Sequence, residues 1–161
     1  MKNVKPNDQD YNLWIMLEHA RSAVVAAREK ELNQYGISMM KAAVLFIVDS
    51  IGNEATPAEI SRWILRKSHS VSGLLDRMEK DGLIKKTKDL HRKNLVRVTI
   101  TEKGYKALNK SKDRKSIHRS MGVISDEEQQ KLYNQLEKIR DKALKIAGVS
   151  KPPYPKSLSD K

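Results

Sequence analysis

The residues of this sequence with the clearest chemistry are its cations, which are concentrated in one central segment. Residues 62–119, the basic segment, contain 18 of the 32 lysines and arginines but only 6 of the 20 acidic residues. The rest of the chain contains 14 of each, so the formal net charge of +12 lies within the basic segment. A basic block between neutral ends is typical of a surface that binds a polyanion, and double-stranded DNA is the first candidate.

Charge alone leaves the identity of the polyanion open. A strongly basic chain can also bind RNA, an acidic protein or an anionic membrane. The predicted geometry of the elements that carry the cations must therefore decide between these partners.

Other kinds of functional site find little support in the residue pattern. The chain contains no cysteine, which excludes disulfides, thiolate metal ligands and thiol redox switching. The histidines lack i, i+3 or i+4 partners, so we expect no metal site; they are His19, His69, His91 and His118. There is no Gly-rich phosphate loop and no nucleophile elbow. We therefore expect neither a cofactor nor an enzyme activity.

The length of the chain and its apolar runs limit the kinds of fold that it can adopt. With 161 residues, the chain has the size of one compact unit. Its start has no apolar run of the signal-peptide type, and no stretch approaches the roughly 20 apolar residues of a membrane helix. We therefore expect a cytoplasmic protein.

Two short helices and a hairpin are predicted to position the basic segment. Thr56, Pro57 and Glu59 form a helix start, because the Thr56 hydroxyl can accept the Glu59 backbone N–H while the Glu59 carboxylate reaches back. This helix is predicted to end near residue 66, and a second helix to cover residues 68–80. Residues 83–88 and 95–101 alternate with the period of strands and should pair as a hairpin.

Longer helices are predicted on both sides of these elements. Residues 11–34 form an amphipathic helix of over about 30 Å, longer than its own core requires and suited to contacting a partner chain. A helix over residues 38–50 follows it. After the hairpin, Thr101 caps a helix that should continue to about residue 118. Ser125 and Glu128 form a capping box before a last amphipathic helix.

Helix, short turn, helix and basic hairpin is the order of a winged helix-turn-helix. The chain resembles the MarR family of bacterial regulators over about residues 10–147. The most specific part is VSGLLDRMEKDGLIKK at residues 71–86, then Asp89, then VRVTITEKG at residues 96–104. The resemblance implies a mainly α fold with a small β-hairpin, flanked by N- and C-terminal dimerisation helices, and in many members a small molecule that releases DNA.

The resemblance also implies which residues contact DNA. The recognition helix is 68–80, with base-facing side chains on its first half and a phosphate contact from Arg77; its assigned residues are Ser68, His69, Ser70, Ser72, Gly73 and Arg77. Hydroxyls can donate or accept at either kind of base edge, and a helix N-terminus attracts phosphate. On the hairpin the assigned residues are His91, Arg92, Lys93, Asn94 and Arg97.

The hairpin tip departs from the family pattern. That pattern commonly reads Asp-x-Arg-Asp-x-Arg, whereas residues 89–94 read Asp-Leu-His-Arg-Lys-Asn. His91 stands where the family often has an arginine that enters the minor groove. Either Arg92, which we favour, or Lys93 replaces that arginine, or the minor-groove contact is weaker. The alternative is a solvated charged turn.

Aromatic residues are candidates for an effector cavity between the dimer platform and the DNA-binding region. The candidates are Trp14, Tyr35, Trp63 and Tyr105, with a plain core role as the alternative. The dimer contacts are assigned to Leu13, Leu17, Val24, Leu132, Leu136 and Ile139.

The sequence therefore predicts a homodimeric, sequence-specific double-stranded DNA-binding transcription regulator, a ligand-responsive repressor acting on an inverted repeat. The predicted regions are a dimerisation helix (1–36), the winged helix-turn-helix (37–101), further dimerisation helices (102–149) and a mobile tail (150–161). The alternatives are a non-specific architectural nucleic-acid-binding protein and a winged helix that binds a protein partner.

Overall fold

The computed structural model of the protein describes residues 8–89, 92 and 94–154. In chain order the elements are α1 (Gln9–Asn33), α2 (Met39–Ile51), a 3-10 turn (Gly52–Glu54), α3 (Pro57–Trp63), α4 (Ser68–Lys80), β1 (Ile84–Lys88), β2 (Val96–Ile100), α5 (Glu102–Ser111), α6 (Lys115–Met121) and α7 (Asp126–Ala147). The fold is mainly α with one antiparallel hairpin, which confirms the predicted class.

The buried core lies between α2, α3, α4 and the hairpin. Its completely or almost completely buried side chains in these elements are Val44, Leu45, Ile60, Val71, Leu75, Met78, Ile84 and Val98. Leu32 of α1 and Leu108 of α5 are buried in the same cluster. Because each buried apolar side chain contributes about 1.5–3 kcal/mol, this cluster holds the longer helices to the central region.

Most helix starts follow their local sequence signals. Ser125 and Glu128 form the complete capping box that the sequence predicts before α7. Thr56 caps α3 by accepting the Glu59 backbone N–H at 3.2 Å. The reciprocal half of that box is absent, because the Glu59 carboxylate pairs with Arg62 at 2.9 Å instead of reaching back.

The helix predicted to end near residue 66 stops earlier, at Trp63. Leu65 has φ of +52°, a left-handed conformation that a helix cannot continue through. The Arg66 amide donates to the Ser61 carbonyl at 3.1 Å and closes the turn that leads into α4.

The single helix predicted over residues 102–118 is two helices in the structure. α5 ends at Ser111, Arg114 adopts φ of +48°, and α6 begins at Lys115. Two side chains of α1 stabilise this break. Arg28 donates to the Ser111 carbonyl at 2.6 Å, and the Glu31 carboxylate accepts the Lys115 amide at 2.9 Å.

Arg28 and Glu31 complement the helix ends that they cap. A cation is favourable at a helix C-terminus and an anion at an N-terminus. Glu31 also accepts the amide and hydroxyl of Ser116, and it pairs with the Arg28 guanidinium at 2.9 Å. Burial raises the pKa of Glu31, but the hydrogen bonds from Ser116, Arg28 and Lys115 outweigh it and lower that pKa to about 2.

The apolar stripes of the outer helices are largely exposed in the single chain. Of the stripe predicted for α1, only Leu32 near the C-terminal end is buried, whereas Leu13 is 59% exposed. No residue of α7 is buried, and Leu132, Leu136 and Ile139 are all exposed. Among the described residues, no helix combines the length and apolar character needed to cross a bilayer.

Replacing Glu31 by Gln should lower the free energy of unfolding by about 2–4 kcal/mol near neutral pH, because the buried Arg28 loses its anionic partner. Since the folded pKa is below the ordinary value of 4.5, the charge stabilises the fold fully above that pH and loses its effect as the pH falls towards 2. Urea denaturation across this range measures the difference between variant and wild type, which should shrink at acid pH.

Glu18→Gln is the matched control, since Glu18 is exposed on the same helix. Its effect should be within about 0.5 kcal/mol at every pH. A Glu31→Gln variant with the stability and pH profile of the wild type would contradict the capping role.

Candidate nucleic-acid interface

Helix α4 has the bounds predicted for the recognition helix and presents one apolar and one polar face. Val71, Leu74, Leu75 and Met78 are buried against the core. Most of the assigned DNA-contacting positions are exposed on the other side, namely Ser68, His69, Ser70, Ser72 and Arg77, and Gly73 is half-buried. The Ser72 hydroxyl donates to the Ser68 carbonyl at 3.1 Å, which leaves its oxygen able to accept a further bond.

A shallow groove runs beside this polar face. It is lined by His69, Ser70, Gly73 and Arg77 of α4, with Lys41 and Arg66 among its other lining residues. A Cβ atom at Gly73 would have the Arg77 guanidinium, 3.7 Å away, as its nearest neighbour. Nothing in the part of the chain that the structure describes therefore requires a glycine at this position.

The wing, comprising β1, β2 and the residues between them, is held by Asp89 at the point where β1 ends and the tip begins. Ile84 pairs with Ile100 and Lys88 with Val96 at the two ends of the ladder. The Asp89 carboxylate then accepts the Arg92 backbone amide at 3.0 Å, and the Asp89 amide donates to the Leu95 carbonyl. Asp89 thus fixes the direction in which the strands turn at the tip.

Arg97 is occupied by internal partners. Its guanidinium pairs with Asp89 at 2.9 Å and with Glu54 at 2.7 Å, and it donates to the Glu54 carbonyl at 3.0 Å. The side chain is only 19% exposed. The hydrogen bond with Asp89 raises the pKa of Arg97 above its ordinary value. Arg97, assigned above to DNA contact, therefore anchors the wing to the 3-10 turn between α2 and α3.

A second ion-pair cluster joins α4 to the wing. Lys86 of β1 pairs with Asp76 and, at 3.3 Å, with Glu79 of α4. The Lys86 backbone amide also donates to Glu79 at 2.7 Å, a hydrogen bond that lowers the pKa of that carboxyl. α4 and the hairpin are therefore held as one unit, which with α3 we call the reading head.

Internal pairing leaves a defined group of cations available on the reading head. Among the described residues, several exposed basic side chains of α4, the wing and the preceding turn form no ion pair; they are Arg66, Lys67, Arg77, Lys80, Lys85, Lys88 and Arg92. Asn94 is exposed beside them. His91 and Lys93 lie outside the described residues. The surface combines exposed hydroxyls with unpaired cations, the combination that DNA recognition requires.

An apolar cavity of about 380 Å³ lies between α1, α2 and α5. None of the four predicted aromatic residues lines it: Trp14 and Tyr105 are exposed, Tyr35 borders a different groove, and Trp63 packs on Tyr154. The aromatic residues in its wall are Phe46 and Tyr154.

Helical periodicity could not indicate Phe46 or Tyr154 as wall residues, because their proximity depends on how the tail folds back onto α2. Val24, assigned to the dimer contacts, also lines this cavity. No group of residues in the described ranges has the arrangement of a metal site.

Similar proteins share this architecture. Residues 35–93 match the model of the MarR family. The HTH-type transcriptional regulator YfiV of Bacillus subtilis (strain 168) is 24% identical over 143 residues, covering 88% of each chain. The structure of the organohalide-sensing transcriptional regulator RdhR-CbdbA1625, bound to 2,4-dichlorophenol, is 30% identical with a TM-score of 0.83, covering 97% of this chain and 98% of that chain.

A mutant MarR from E. coli, solved in complex with operator DNA, shares the fold. It is 16% identical, with a TM-score of 0.75, and the match covers 80% of this chain and 93% of that chain.

Replacing Arg97 by Ala should loosen the wing, because Asp89 loses its cationic partner at a largely buried position. We expect a loss of about 1–3 kcal/mol in unfolding free energy and faster amide exchange in β1 and β2. Arg92→Ala is the matched control, since Arg92 is exposed and unpaired, and its stability should change by less than about 0.5 kcal/mol. Denaturation with hydrogen-exchange measurements tests both, and equal loosening in the two variants would refute the anchor role of Arg97.

Proposed function

The chain belongs to the MarR family of transcriptional regulators, and from that premise we propose that it is a homodimeric repressor that binds an inverted repeat in double-stranded DNA. The observation that carries this proposal is the exposed hydroxyl-bearing face of α4 beside a wing whose outer cations have no internal partner. Repression would follow from occupancy of a promoter, and chromosomal DNA as the target implies the cytoplasm as the working compartment.

The first half of α4 enters the major groove in this proposal. His69, Ser70 and Ser72 face base edges, where hydroxyls can donate or accept. Gly73 allows the helix backbone to approach the DNA closely. Arg77 contacts a phosphate and contributes affinity without sequence information.

The wing lies along the neighbouring backbone. Arg92 is exposed at the tip, so it is our candidate for the minor groove, with Lys88 and Asn94 near phosphates. Arg97 acts as a positioning residue, because its guanidinium is committed to Asp89 and Glu54. Roles for His91 and Lys93 in direct contact stay predictions.

Dimerisation is proposed to bury the exposed apolar faces of α1 and α7. Leu13, Leu17, Leu132, Leu136 and Ile139 are at least 36% exposed in the single chain. Rows of exposed apolar side chains along a helix indicate an interaction site. Two-fold symmetry would set the recognition helices about 34 Å apart, which matches half-sites one helical turn apart.

We further propose that a small aromatic molecule regulates DNA binding from the cavity between α1, α2 and α5. The cavity wall is mainly apolar and carries the cations Arg28, Lys112 and Arg114. A phenol or aromatic acid matches this combination of an apolar body and a polar or anionic group. A 30% identical relative is described as bound to 2,4-dichlorophenol, which supports the same class here.

Two other functions compete with this one. A non-specific architectural protein would show a small ratio of affinities between a selected operator and random DNA. A winged helix that binds an acidic protein would ignore duplexes and co-purify with that protein. Gel-shift series with selected and random duplexes distinguish the three.

Arg77→Ala should weaken binding to operator and random duplexes alike, by about 1–2 kcal/mol, because a phosphate contact carries no sequence information. The slope of log affinity against log salt should also fall by about one unit, since one phosphate neutralisation is lost. Arg119→Ala removes the same charge at an exposed position of α6 and should leave the operator affinity unchanged. Unchanged binding by Arg77→Ala would remove Arg77 from the interface.

Leu136→Glu should convert the dimer to monomers at micromolar concentration, because it places a charge in the apolar contact. Sedimentation measures the oligomeric state, and operator binding should fall with the loss of the second recognition helix. Val123→Glu is the control, since Val123 is 82% exposed and outside the proposed faces. A monomeric wild type, or a dimeric Leu136→Glu variant, would exclude this interface.

A further inference from the structure

The segment after α7 folds back towards the reading head. Gly148 ends α7 with φ of +65°, which turns the chain back. Lys151 then pairs with Asp141 at 2.9 Å and with Glu137 at 3.6 Å, both on α7. Pro152 is buried. These contacts place residues 150–154 of the tail predicted to be mobile against the folded chain, and residues 155–161 lie outside the described residues.

Tyr154 makes two aromatic contacts, one with the reading head and one with α2. Its ring stacks on Trp63 with centroids 5.6 Å apart and planes inclined by only 5°. It also meets the Phe46 ring edge-on at 5.5 Å. Stacked and edge-on pairs are the favourable arrangements of aromatic rings, so both contacts are attractive beyond the area that they bury.

The same ring forms part of the cavity wall. Tyr154, Phe46 and Arg114 all line the cavity, and the Arg114 guanidinium lies 5.2 Å from the centre of the Phe46 ring. A planar aromatic molecule in the cavity therefore meets Tyr154 directly. Such a molecule can take over the contact that Tyr154 makes with Phe46.

Trp63 gives the Tyr154 contact a route to the recognition helix. Trp63 is the last residue of α3, and the turn after it contains the left-handed Leu65. α4 begins at Ser68, directly after that turn. A ring that holds Trp63 therefore restrains the turn from which α4 starts.

We propose that Tyr154 is a positioning residue that clamps Trp63 in the ligand-free protein and is displaced when an aromatic ligand fills the cavity. The inference rests on the proposed function, since it explains how occupation of the cavity reaches the DNA-binding surface. A ligand that packs on Phe46 binds the two arrangements of the tail differently, because in one of them the Tyr154 ring already contacts Phe46. Such a difference in affinity is the condition for shifting an equilibrium between the two arrangements.

The test compares Tyr154→Ala, Tyr154→Phe and Tyr105→Ala in the full chain. Tyr154→Phe keeps the ring, and Tyr105 is a matched control that is 46% exposed against 45% for Tyr154 and does not line the cavity. Operator affinity is measured by fluorescence anisotropy on a duplex selected from a random pool. In a Trp14→Phe background, Trp63 is the only tryptophan, and acrylamide quenching reports its exposure.

Tyr154→Ala should lower operator affinity about three- to tenfold, the loss expected from about one aromatic pair, and should expose Trp63 to quenching. Tyr154→Phe and Tyr105→Ala should behave as the wild type in both measurements. Saturating 2,4-dichlorophenol should expose Trp63 and weaken operator binding in the wild type but have no further effect on Tyr154→Ala.

Wild-type operator affinity and wild-type Trp63 quenching in Tyr154→Ala would each overturn the clamp. Loss of operator binding in Tyr154→Phe would do the same, because it would assign the effect to the hydroxyl. A wild type without specific DNA binding would instead refute the proposed function itself. If the wild type binds its operator but ignores the phenol, the effector part of that function fails, and the comparison of Ala and Phe variants alone decides on the clamp.

Discussion

The Asp89 carboxylate, paired with Arg97, is the interaction on which the shape of the candidate DNA-binding surface depends. A hairpin that carries this much positive charge repels itself, and an anion where its strands end and the tip begins offsets that repulsion. Asp89 has a largely buried side chain and accepts both the Arg97 guanidinium and the Arg92 amide. The ion pair between Arg97 and Glu54 stabilises the wing less, because the Glu54 side chain is 77% exposed and solvent screens its charge. The carboxylates thus position the wing, while Lys85, Lys88 and Arg92 among its described residues stay unpaired.

A second charged pair organises the helices behind the reading head. Arg28 and Glu31 lie one turn apart on α1, and between them they end α5 and begin α6. The bend between these two helices is therefore set by α1, which also carries one of the exposed apolar faces. Arg28 also lines the cavity, so one side chain both caps the end of α5 and forms part of the cavity wall.

Much of the fold could be predicted from local sequence, because caps, periodicity and turn residues act over a few positions. The bounds of α4 and the pairing of the hairpin are examples, and the exposure of Ser70 and Ser72 follows from helical periodicity. The break at Arg114 could not be predicted, since it depends on α1 side chains that are distant in sequence. The pairing of Arg97 and the position of Tyr154 in the cavity wall also depend on contacts between residues distant in sequence, so local sequence could not predict them.

Gly104 illustrates the same limit. A Cβ atom there would lie 2.0 Å from the Leu83 carbonyl oxygen, so α5 can dock on the start of β1 only without a side chain at this position. The motif that contains this glycine signals a helix start through Thr101, but the reason for the glycine lies in the packing.

The bonds that set the orientation of the wing are distinct from the side chains that its tip exposes. The orientation is set by Asp89, by Arg97 and by the bond from the Val98 amide to the Ala55 carbonyl at 2.9 Å, all at or below the base of the tip. Among the described residues of the tip, Arg92 takes part in these orienting bonds through its backbone amide, which any residue other than proline supplies. A substitution at Arg92 therefore changes the side chain that this part of the tip exposes and leaves the scaffold of the wing in place.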